Sequence, residues 1–412
     1  MPEEIIHLHV AHDGGNGYNK DAIDDHVTKF PSVITPVLPG NPQIQLNPDN
    51  YADIKALLDD FLDHMDVEVL SKSLHESKRY FIGETANQSG QMVTTFNVDS
   101  NEGKYTSDIS LICLFSLIAY SGIKKYFEAY HRLPDQALKV EVDKLVTALP
   151  IDEIKLPNIR EIFSKRFTDN DHIVILKNFK NDIKVNLHIR NASVWPEGLV
   201  SQYGLIWSPN NPRYFRDDSI FDGVVDVQGD GAVQIKNGKD VQRVGKTLGI
   251  DIGDGTTDFY VADGASALPN VNSSLTWGIG NCAARAAQTL YIRHPQFGKI
   301  NRQKFMDQLQ HSRRPAQRKA FSDLLDEQLV NLGDKIIEQI KTIYRQEDNE
   351  LDLIVISGGG ADLFKKHYEA QLEDSIRNIM PYGAPPILWV APDYAQTLNL
   401  DGLRVILAAQ KG

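Results

Sequence analysis

The sequence predicts an α/β protein of two domains, each a mixed β-sheet flanked by helices. An apolar strand, a glycine-rich turn that carries an aspartate and a second strand occur once in each half, at Asp13 and at Asp251. Segments with helical spacing alternate with these strands along the chain. A length of 412 residues suits about two or three domains, and no low-complexity linker separates the halves.

The first half begins with strands around its glycine turn. Ile5 to His12 is typical of a strand that leads into the turn DGGNGYNK and a second strand. Apolar spacing predicts a helix from Tyr51 to Met65. Ser107 can cap a helix that runs on to Tyr130, whose apolar stretch is too short to span a bilayer and therefore indicates a buried core helix. Three further strands are predicted in ALKVEVDKLVTALPI, DHIVILKN and IKVNLHIR, with VWPEG as a loop after them.

The second half repeats this order of elements. KTLGIDIGDGTTDFYVADG again contains a strand, a glycine turn and a strand, and a helix is expected to begin near Gly280. A long amphipathic helix covers Gln317 to Gln346, where Gly333 could interrupt it. The segment LDLIVISGGGADLF predicts a buried strand, a triple glycine and a helix start. PPILWVAP predicts a late strand, and Ala395 to Ala409 a final helix.

Charge and cysteine content exclude several classes of protein. The formal net charge is −12, and an acidic surface repels a phosphate backbone, so direct nucleic-acid binding is not expected. The basic segment His311 to Lys319 could contact an acidic partner or be only a solvated helix start. Cys113 and Cys282 form neither a disulfide framework nor a metal site, which fits buried thiols in a reducing cytoplasm. The chain shows no signal peptide or membrane anchor pattern.

The first glycine turn can hold an anion and a metal ion. Gly14, Gly15 and Gly17 allow a tight turn whose N–H groups approach a phosphate. Asp13 follows an apolar strand, where its carboxylate could face a metal ion, and Lys20 could reach a phosphate. A plain hairpin turn remains the alternative for this segment alone.

The second glycine turn, DIGDGTTD, is more specific because Asp251 takes the same place after an apolar strand. Backbone N–H groups and hydroxyls for a second phosphate contact come from Gly253, Gly255, Thr256 and Thr257. Together the two turns could clamp a polyphosphate, and Asp13 and Asp251 would hold Mg²⁺ mainly through its water shell. Asp254 could instead serve only to stabilise its turn.

Two further segments suit a nucleoside and a water molecule. Gly358, Gly359 and Gly360 follow a predicted buried strand, so a flat ring could lie against their backbone, and a helix N-terminus follows them. Glu197 lies between the halves, where a carboxylate could orient or deprotonate an attacking water. On its own, VWPEG would equally fit an exposed loop glutamate.

These motifs, in this order, resemble the superfamily of actin, sugar kinases and heat-shock chaperone ATPases. DGGNGYNK and DIGDGTTD resemble its two phosphate motifs, LTWGIGN its second connecting motif and SGGGA its adenosine motif. Within it the chain is most similar to the ParM/StbA group of plasmid-segregation actins, through KFPSVI, YFIGETA, TALPI and VWPEG. The resemblance implies two actin-like (ribonuclease H-like) domains with a nucleotide cleft between them.

The resemblance also implies roles for individual residues. Asp13 and Asp251 would serve the metal, and Glu197 would position the water as catalytic acid or base. Phosphate contacts would come from Gly14, Gly15, Asn16, Gly17, Lys20, Gly253, Asp254, Gly255, Thr256 and Thr257. Gly280 would belong to the connecting motif, and the adenine side would be lined by Gly358, Gly359 and Gly360. The cofactors would be ATP, or GTP in its place, and Mg²⁺.

The resemblance implies two domains. The first is residues 1–196, with a small subdomain near 35–85, and a final helix at about 395–412 packs back on it. The second is residues 197–394, with a helical subdomain near 282–348.

Two features depart from the family. The segment 207–239 looks inserted, since Glu197 and Asp251 lie further apart than is usual. Asp254 stands where Gly or Ser is more common, which adds negative charge near the phosphates.

The function implied is a cytoplasmic actin-like ATPase that forms filaments with other copies of itself and segregates plasmid DNA. Because the chain is acidic, a small DNA-binding adaptor bound to centromere repeats would contact the DNA in its place. A small-molecule kinase of the same fold is an alternative, although the sequence shows no sugar-binding constellation. A division- or pilus-type scaffold is another, although the tail GLRVILAAQKG is short and weakly basic for a membrane anchor.

Overall fold

The computed structural model describes residues 4–24, 26–38, 50–96, 103–229, 231, 234–268, 271–381 and 383–411. Contacts divide the chain into two compact units. The first unit is Met1–Glu197 together with Leu403–Gly412, and the second is Gly198–Gly402. The sequence-based boundaries lie at 196 and 394, and the predicted subdomains near 35–85 and 282–348 stay predictions.

The first unit is built on one mixed sheet. Its strands are β1 (Ile5–Gly14), β2 (Tyr18–Ile23), β3 (His26–Pro31), β4 (Val33–Pro36), β5 (Asp66–Leu70), β6 (Lys78–Ile82), β7 (Thr94–Thr95), β8 (Leu138–Leu149), β9 (His172–Leu176), β10 (Ile183–Ile189) and β11 (Ala192–Pro196). In the described residues they are ordered β3-β2-β1-β8-β10-β9-β5-β6-β4-β7, with β11 also paired to β8. The pairs β1–β8, β8–β10 and β8–β11 are parallel and the others antiparallel. The first glycine turn joins two neighbouring strands of this sheet.

Helices cover this sheet. They are α1 (Tyr51–Asp59), α2 (Glu84–Gln88), α3 (Asp108–Tyr130), α4 (Ile151–Ile154) and α5 (Ile159–Thr168). The next helix, α6 (Glu197–Ile206), begins at Glu197, where the chain passes from the first unit to the second. Ser107 caps α3 by accepting from Ile109 N–H, as predicted. Among the described helices α3 alone is long and apolar enough to cross a membrane, but 83% of its most apolar stretch is buried within the protein. It is therefore the core helix that the sequence predicts.

The second unit carries a two-stranded and a seven-stranded sheet in its described residues. Its strands are β12 (Trp207–Ser208), β13 (Asn211–Phe215), β14 (Val224–Val225), β15 (Lys246–Ile252), β16 (Thr257–Asp263), β17 (Ser266–Ala267), β18 (Ser273–Leu275), β19 (Leu353–Ser357) and β20 (Ile387–Trp389). The larger sheet is ordered β14-β20-β19-β15-β16-β17, with β18 on β16, and β20–β19–β15 are parallel. The carboxyl ends of these parallel strands meet at one edge, where ligands bind in many α/β proteins.

The helices that follow Ile206 in the second unit are α7 (Gly238–Arg243), α8 (Ile279–Arg293), α9 (Arg302–His311), α10 (Pro315–Gln346), α11 (Ala361–Ile379), α12 (Pro392–Ala395) and α13 (Leu398–Lys411), which continues into the first unit. Buried side chains of β15, α8, α10 and α11 form one apolar core with β19. Cys113 and Cys282 are both buried free thiols, as predicted. The basic segment at His311 spans the end of α9 and the start of α10.

Four sequence-based predictions differ from the structure. The helix predicted from Tyr51 to Met65 ends at Asp59, and a 3-10 turn at Phe61–Asp63 follows, in which Phe61 stacks on Tyr120 at 3.6 Å between ring centroids. Gly333 does not interrupt α10; a side chain there would collide with the ring of Tyr368, so the glycine permits close helix packing.

The other two differences concern chain segments near the unit boundaries. VWPEG is not a loop: it is the end of β11 followed by the first turn of α6. The final helix begins at Leu398, after the short α12. The segment 207–239 forms β12, β13, a 3-10 turn at Ser219–Gly223, β14 and the start of α7, and residues 230, 232 and 233 lie outside the described residues.

Candidate functional site

The first glycine turn places a nearly buried carboxylate beside a lysine. In the antiparallel register of β1 and β2, Asp13 lies opposite Lys20. Asp13 is 4% exposed, and Lys20 Nζ donates to its Oδ2 at 2.7 Å. The structure therefore brings together the acid and the base that the sequence singled out, at the end of a core strand.

The backbone of this turn is fixed by its own contacts. Gly15 N–H donates to Asp13 O at 3.0 Å, and a Cβ at Gly15 would lie 2.7 Å from Tyr18 O. Ser32 donates its hydroxyl to Gly15 O at 2.6 Å and its N–H to Gly17 O at 3.0 Å. The turn is thus rigid and requires glycine at position 15.

Beneath the turn lies a buried hydrogen-bonded chain of three side chains. His12 Nδ1 is 2.6 Å from Asp21 Oδ1, and His12 Nε2 is 2.9 Å from Ser110 Oγ. Burial raises the pKa of Asp21, and His12 opposes this shift. A Cβ at Gly14 would lie 2.9 Å from His12 Nε2. These two hydrogen bonds connect β1, β2 and α3 next to Asp13.

The second glycine turn begins at Asp251, at the end of β15. Asp251 lies opposite Asp258 on β16 and Ser357 on β19. Asn399 Nδ2 donates to Asp251 Oδ2 at 3.2 Å. Gly253 N–H donates to Thr256 O at 2.9 Å and closes the turn.

The start of α8 packs directly onto this turn. Ile279 N–H donates to Gly253 O at 3.0 Å, and Gly280 N–H donates to Asp254 O at 2.8 Å. A side chain at Gly280 would collide with the carboxylate of Asp254. The connecting motif and the second phosphate motif therefore form one unit of structure.

The triple glycine reaches the same place from β19. Gly358 has a φ of 97°, and a Cβ on it would collide with Asp251 Oδ1 and lie 2.5 Å from Ile252 O. Gly360 N–H donates to Ile252 O at 2.8 Å, and a Cβ there would collide with Ile279. By contrast, a Cβ on Gly359 would meet only Gln396 Cγ, at 3.8 Å. Three motifs far apart in sequence thus converge on the end of β15.

Several polar side chains of the second turn already have internal partners. Thr257 is fully buried and donates to Trp277 O at 2.8 Å, and Thr256 Oγ1 donates to Asp258 Oδ2 at 2.8 Å. Asp254 Oδ2 pairs with Arg302 Nη1 at 2.6 Å. This ion pair favours the interpretation that Asp254 stabilises the turn.

Glu197 is not an exposed loop residue. Its side chain is 14% exposed, and its Oε1 accepts from Lys104 Nζ at 2.9 Å. Burial opposes the charged form of Lys104, but Glu197, with smaller contributions from Asp13 and Glu153, outweighs burial and raises the pKa of the lysine. The first unit therefore holds the carboxylate that could orient water in an ion pair with a lysine.

Burial also raises the pKa of Glu153, and the Glu197 carboxylate adds to that shift. Sequence reasoning missed Lys104, Asn399 and Arg302. Each lies in a polar or helical stretch that carries no motif of its own, so only the fold reveals its role.

One other group of side chains could hold a metal ion among the described residues. His7, Glu141 and Asp143 lie close together on β1 and β8. Arg190 already pairs with both carboxylates, at 3.1 Å to Asp143 Oδ1. This cluster is therefore an ion-pair network of the sheet.

Comparisons with known proteins agree with this arrangement. A family model described as the N-terminal domain of actin-like proteins matches residues 11–199, and one described as the C-terminal domain of an archaeal, MreB-like actin homologue matches residues 249–370. A search of curated protein sequences finds no match.

Solved structures match over nearly the whole chain. The actin-like protein Alp7A is 15% identical, with a TM-score of 0.68 over 98% of this chain and 97% of that one. A 15-stranded ParM filament from Clostridium botulinum is 18% identical, with a TM-score of 0.60 over 98% and 99%. Ta0583, an archaeal actin homolog in complex with ADP, is 14% identical, with a TM-score of 0.60 over 98% and 100%. The predicted actin-like fold is confirmed.

Proposed function

We propose that this chain is an actin-like ATPase that polymerises in a nucleotide-dependent manner and segregates plasmid DNA through an adaptor. One observation carries the proposal. Each unit ends a core strand in an aspartate that stands within a glycine turn, and in the second unit the connecting and adenosine motifs pack onto that turn. A simple hairpin would not require these motifs to meet. Their convergence therefore supports a ligand-binding site.

The residues present fit a magnesium nucleotide. Carboxylate oxygens are ligands that Mg²⁺ prefers, and Asp13 and Asp251 would supply them. Backbone N–H groups of the residues around Gly15 and Gly255 would contact phosphates, with Lys20 adding a positive charge. The turn at Gly358 to Gly360 would face the nucleoside, with ATP or GTP as the nucleotide. The bound metal would supply neutralisation of phosphate charge.

Hydrolysis would depend on Glu197. Its carboxylate would orient the attacking water and accept its proton, which is the usual task of such a group in phosphate transfer. The partial burial of Glu197 and its ion pair hold the side chain in one place. Positioning of this kind contributes much of the rate in enzymes that do little covalent chemistry.

The proposed polymerisation and cargo are supported by a similar protein that forms filaments and by the charge of the chain. The similar ParM protein from Clostridium botulinum was solved as a filament. We infer self-association of this chain in the cytoplasm, with filament contacts that depend on the bound nucleotide. With a net charge of −12, the chain would bind plasmid centromere repeats through a small DNA-binding adaptor.

Sedimentation with parallel phosphate release tests the proposal. We expect pelleted polymer with Mg–ATP, little with ADP or EDTA, and phosphate release that follows assembly. Glu197→Gln should still pellet but release phosphate about 100-fold more slowly. Absence of polymer across a wide protein concentration range would contradict the proposal. ATP turnover that requires a small-molecule acceptor would indicate a kinase, and co-sedimentation with liposomes would indicate a membrane-bound scaffold.

A further inference from the structure

Lys104 is a partly buried lysine that none of the recognised motifs contains. It lies in the segment before α3, with its side chain 15% exposed, and donates to Glu197 at 2.9 Å although the two residues are 93 positions apart. A lysine side chain is seldom held so far from water without a specific partner.

The segment around Lys104 is folded about a second carboxylate. Lys104 N–H and Tyr105 N–H donate to the two oxygens of Glu153, at 2.8 and 3.1 Å. A Cβ on Gly103 would lie 2.8 Å from Glu153 Oε2, so glycine is needed for this close approach. Arg166 donates to Tyr105 O at 2.8 Å and fixes the segment from the other side. The backbone of Lys104 therefore has little freedom.

Three carboxylates surround the ammonium group of Lys104 and favour its charged form. The carboxylates of Glu197, Asp13 and Glu153 all act on its ammonium group. A buried ion pair adds little net stability, because desolvation offsets much of the attraction. Removing the cation, in contrast, would take away the ammonium group that donates to Glu197 Oε1, so the carboxylate could change its rotamer.

We propose that Lys104 is a positioning residue, which holds the Glu197 carboxylate in the conformation that orients the attacking water. The proposal rests on the proposed ATPase activity. Lys104 acts through Glu197, so its loss affects the hydrolytic step and leaves the glycine turns that bind phosphate intact.

The test compares ATP affinity and single-turnover hydrolysis for the full-length wild type, Lys104→Met, Glu197→Gln and the double variant. We expect Lys104→Met to lower the hydrolysis rate about 100-fold while ATP affinity stays within threefold. In the Glu197→Gln background, Lys104→Met should have no further effect, because the carboxylate it positions is gone.

Lys177→Met is a matched control. Lys177 is also 15% exposed and pairs with Glu68 at 2.9 Å and Asp182 at 2.7 Å in the same unit, without contact to Glu197. We expect its hydrolysis rate to stay within threefold of the wild type. Should Lys104→Met not fold, Lys104→Gln replaces it with the same expected loss of turnover, and Lys104→Arg should keep most of the turnover.

The outcomes separate the two proposals. A wild type that binds no ATP and hydrolyses none overturns the ATPase assignment. A wild type that hydrolyses ATP, with Lys104→Met unchanged or with affinity and rate lowered alike, overturns only the role of Lys104. An equal loss from Lys104→Met with and without Glu197 would also overturn that role.

Discussion

The two glycine turns hold equivalent aspartates by different means. In the first unit Asp13 pairs with Lys20 on the neighbouring strand, at 2.7 Å between Nζ and Oδ2. In the second unit Asp251 contacts the amide of Asn399, and the backbone of Gly358 passes directly against it. The carboxylate of Asp13 is therefore held by an ion pair, whereas that of Asp251 is held by an amide contact and by close packing of backbone.

This difference separates two contributions to nucleotide binding. Charged side chains attract phosphates over some distance and are weakened by salt. Close packing of glycine backbone fixes a shape and fails when a single methyl group is added. Substitutions in the two turns should therefore differ in both size and salt dependence.

Gly358→Ala should have the largest effect. The new methyl group would collide with Asp251, and the φ of 97° is one that alanine rarely adopts. We expect a loss of about 3 kcal/mol in the unfolding free energy and no measurable ATP binding. Gly359→Ala is the control, with a change below about 0.5 kcal/mol, because its Cβ would meet one atom at 3.8 Å. Equal effects at both positions in thermal unfolding would contradict the packing of the second turn.

Lys20→Met should weaken ATP binding about tenfold, because it removes a charge-assisted phosphate contact. The decrease of ATP affinity with added salt should also become shallower than in the wild type. Titrations at two salt concentrations measure both effects. Lys125→Met, at an exposed lysine paired with Asp24, should change neither quantity. An unchanged salt dependence in Lys20→Met would mean that the first turn does not act through charge.

Acid should destabilise the first unit through His172. Burial lowers the pKa of this histidine, which stacks on Phe115 at 4.0 Å. The unfolded chain therefore binds the proton first, so stability falls as the pH drops below the ordinary histidine pKa of about 6.5. His172→Gln should lessen the fall in melting temperature between about pH 7.5 and pH 5.5. A wild type and variant with parallel pH curves would rule out this contribution.

Asp254→Asn should have the smallest effect. Its ion pair with Arg302 is more than one third exposed on both sides, so solvent screens it. We expect a change in unfolding free energy of about 0.5 kcal/mol or less, measured by denaturant titration. A loss above about 1.5 kcal/mol would show that the second turn, too, depends strongly on charge.

Local features of the fold could be read from the sequence, whereas long-range contacts could not. Alternating apolar residues and glycine turns predicted β1 and β15 correctly, and a serine before an apolar run predicted the cap of α3. VWPEG was assigned to a loop because Pro and Gly usually interrupt regular structure. The chain instead starts α6 there, with Glu197 as an acidic residue in its first turn.

The candidate site was only partly predictable for the same reason. Asp13, Asp251 and the glycines stand in motifs whose spacing has a physical meaning. Lys104 and Asn399 acquire their partners only when segments distant in sequence fold together. No periodicity or turn signal marks such contacts.

A double-mutant cycle on Asp13 and Asp251 asks whether both aspartates serve one metal–nucleotide complex. Calorimetric titration with Mg–ATP would compare the wild type, Asp13→Asn, Asp251→Asn and the double variant. We expect one ATP per chain, a loss of Mg²⁺ dependence in each single variant, and a double variant no weaker than the weaker single variant. Two losses that simply add, or two nucleotides per chain, would show that the turns bind independently and would contradict a shared site.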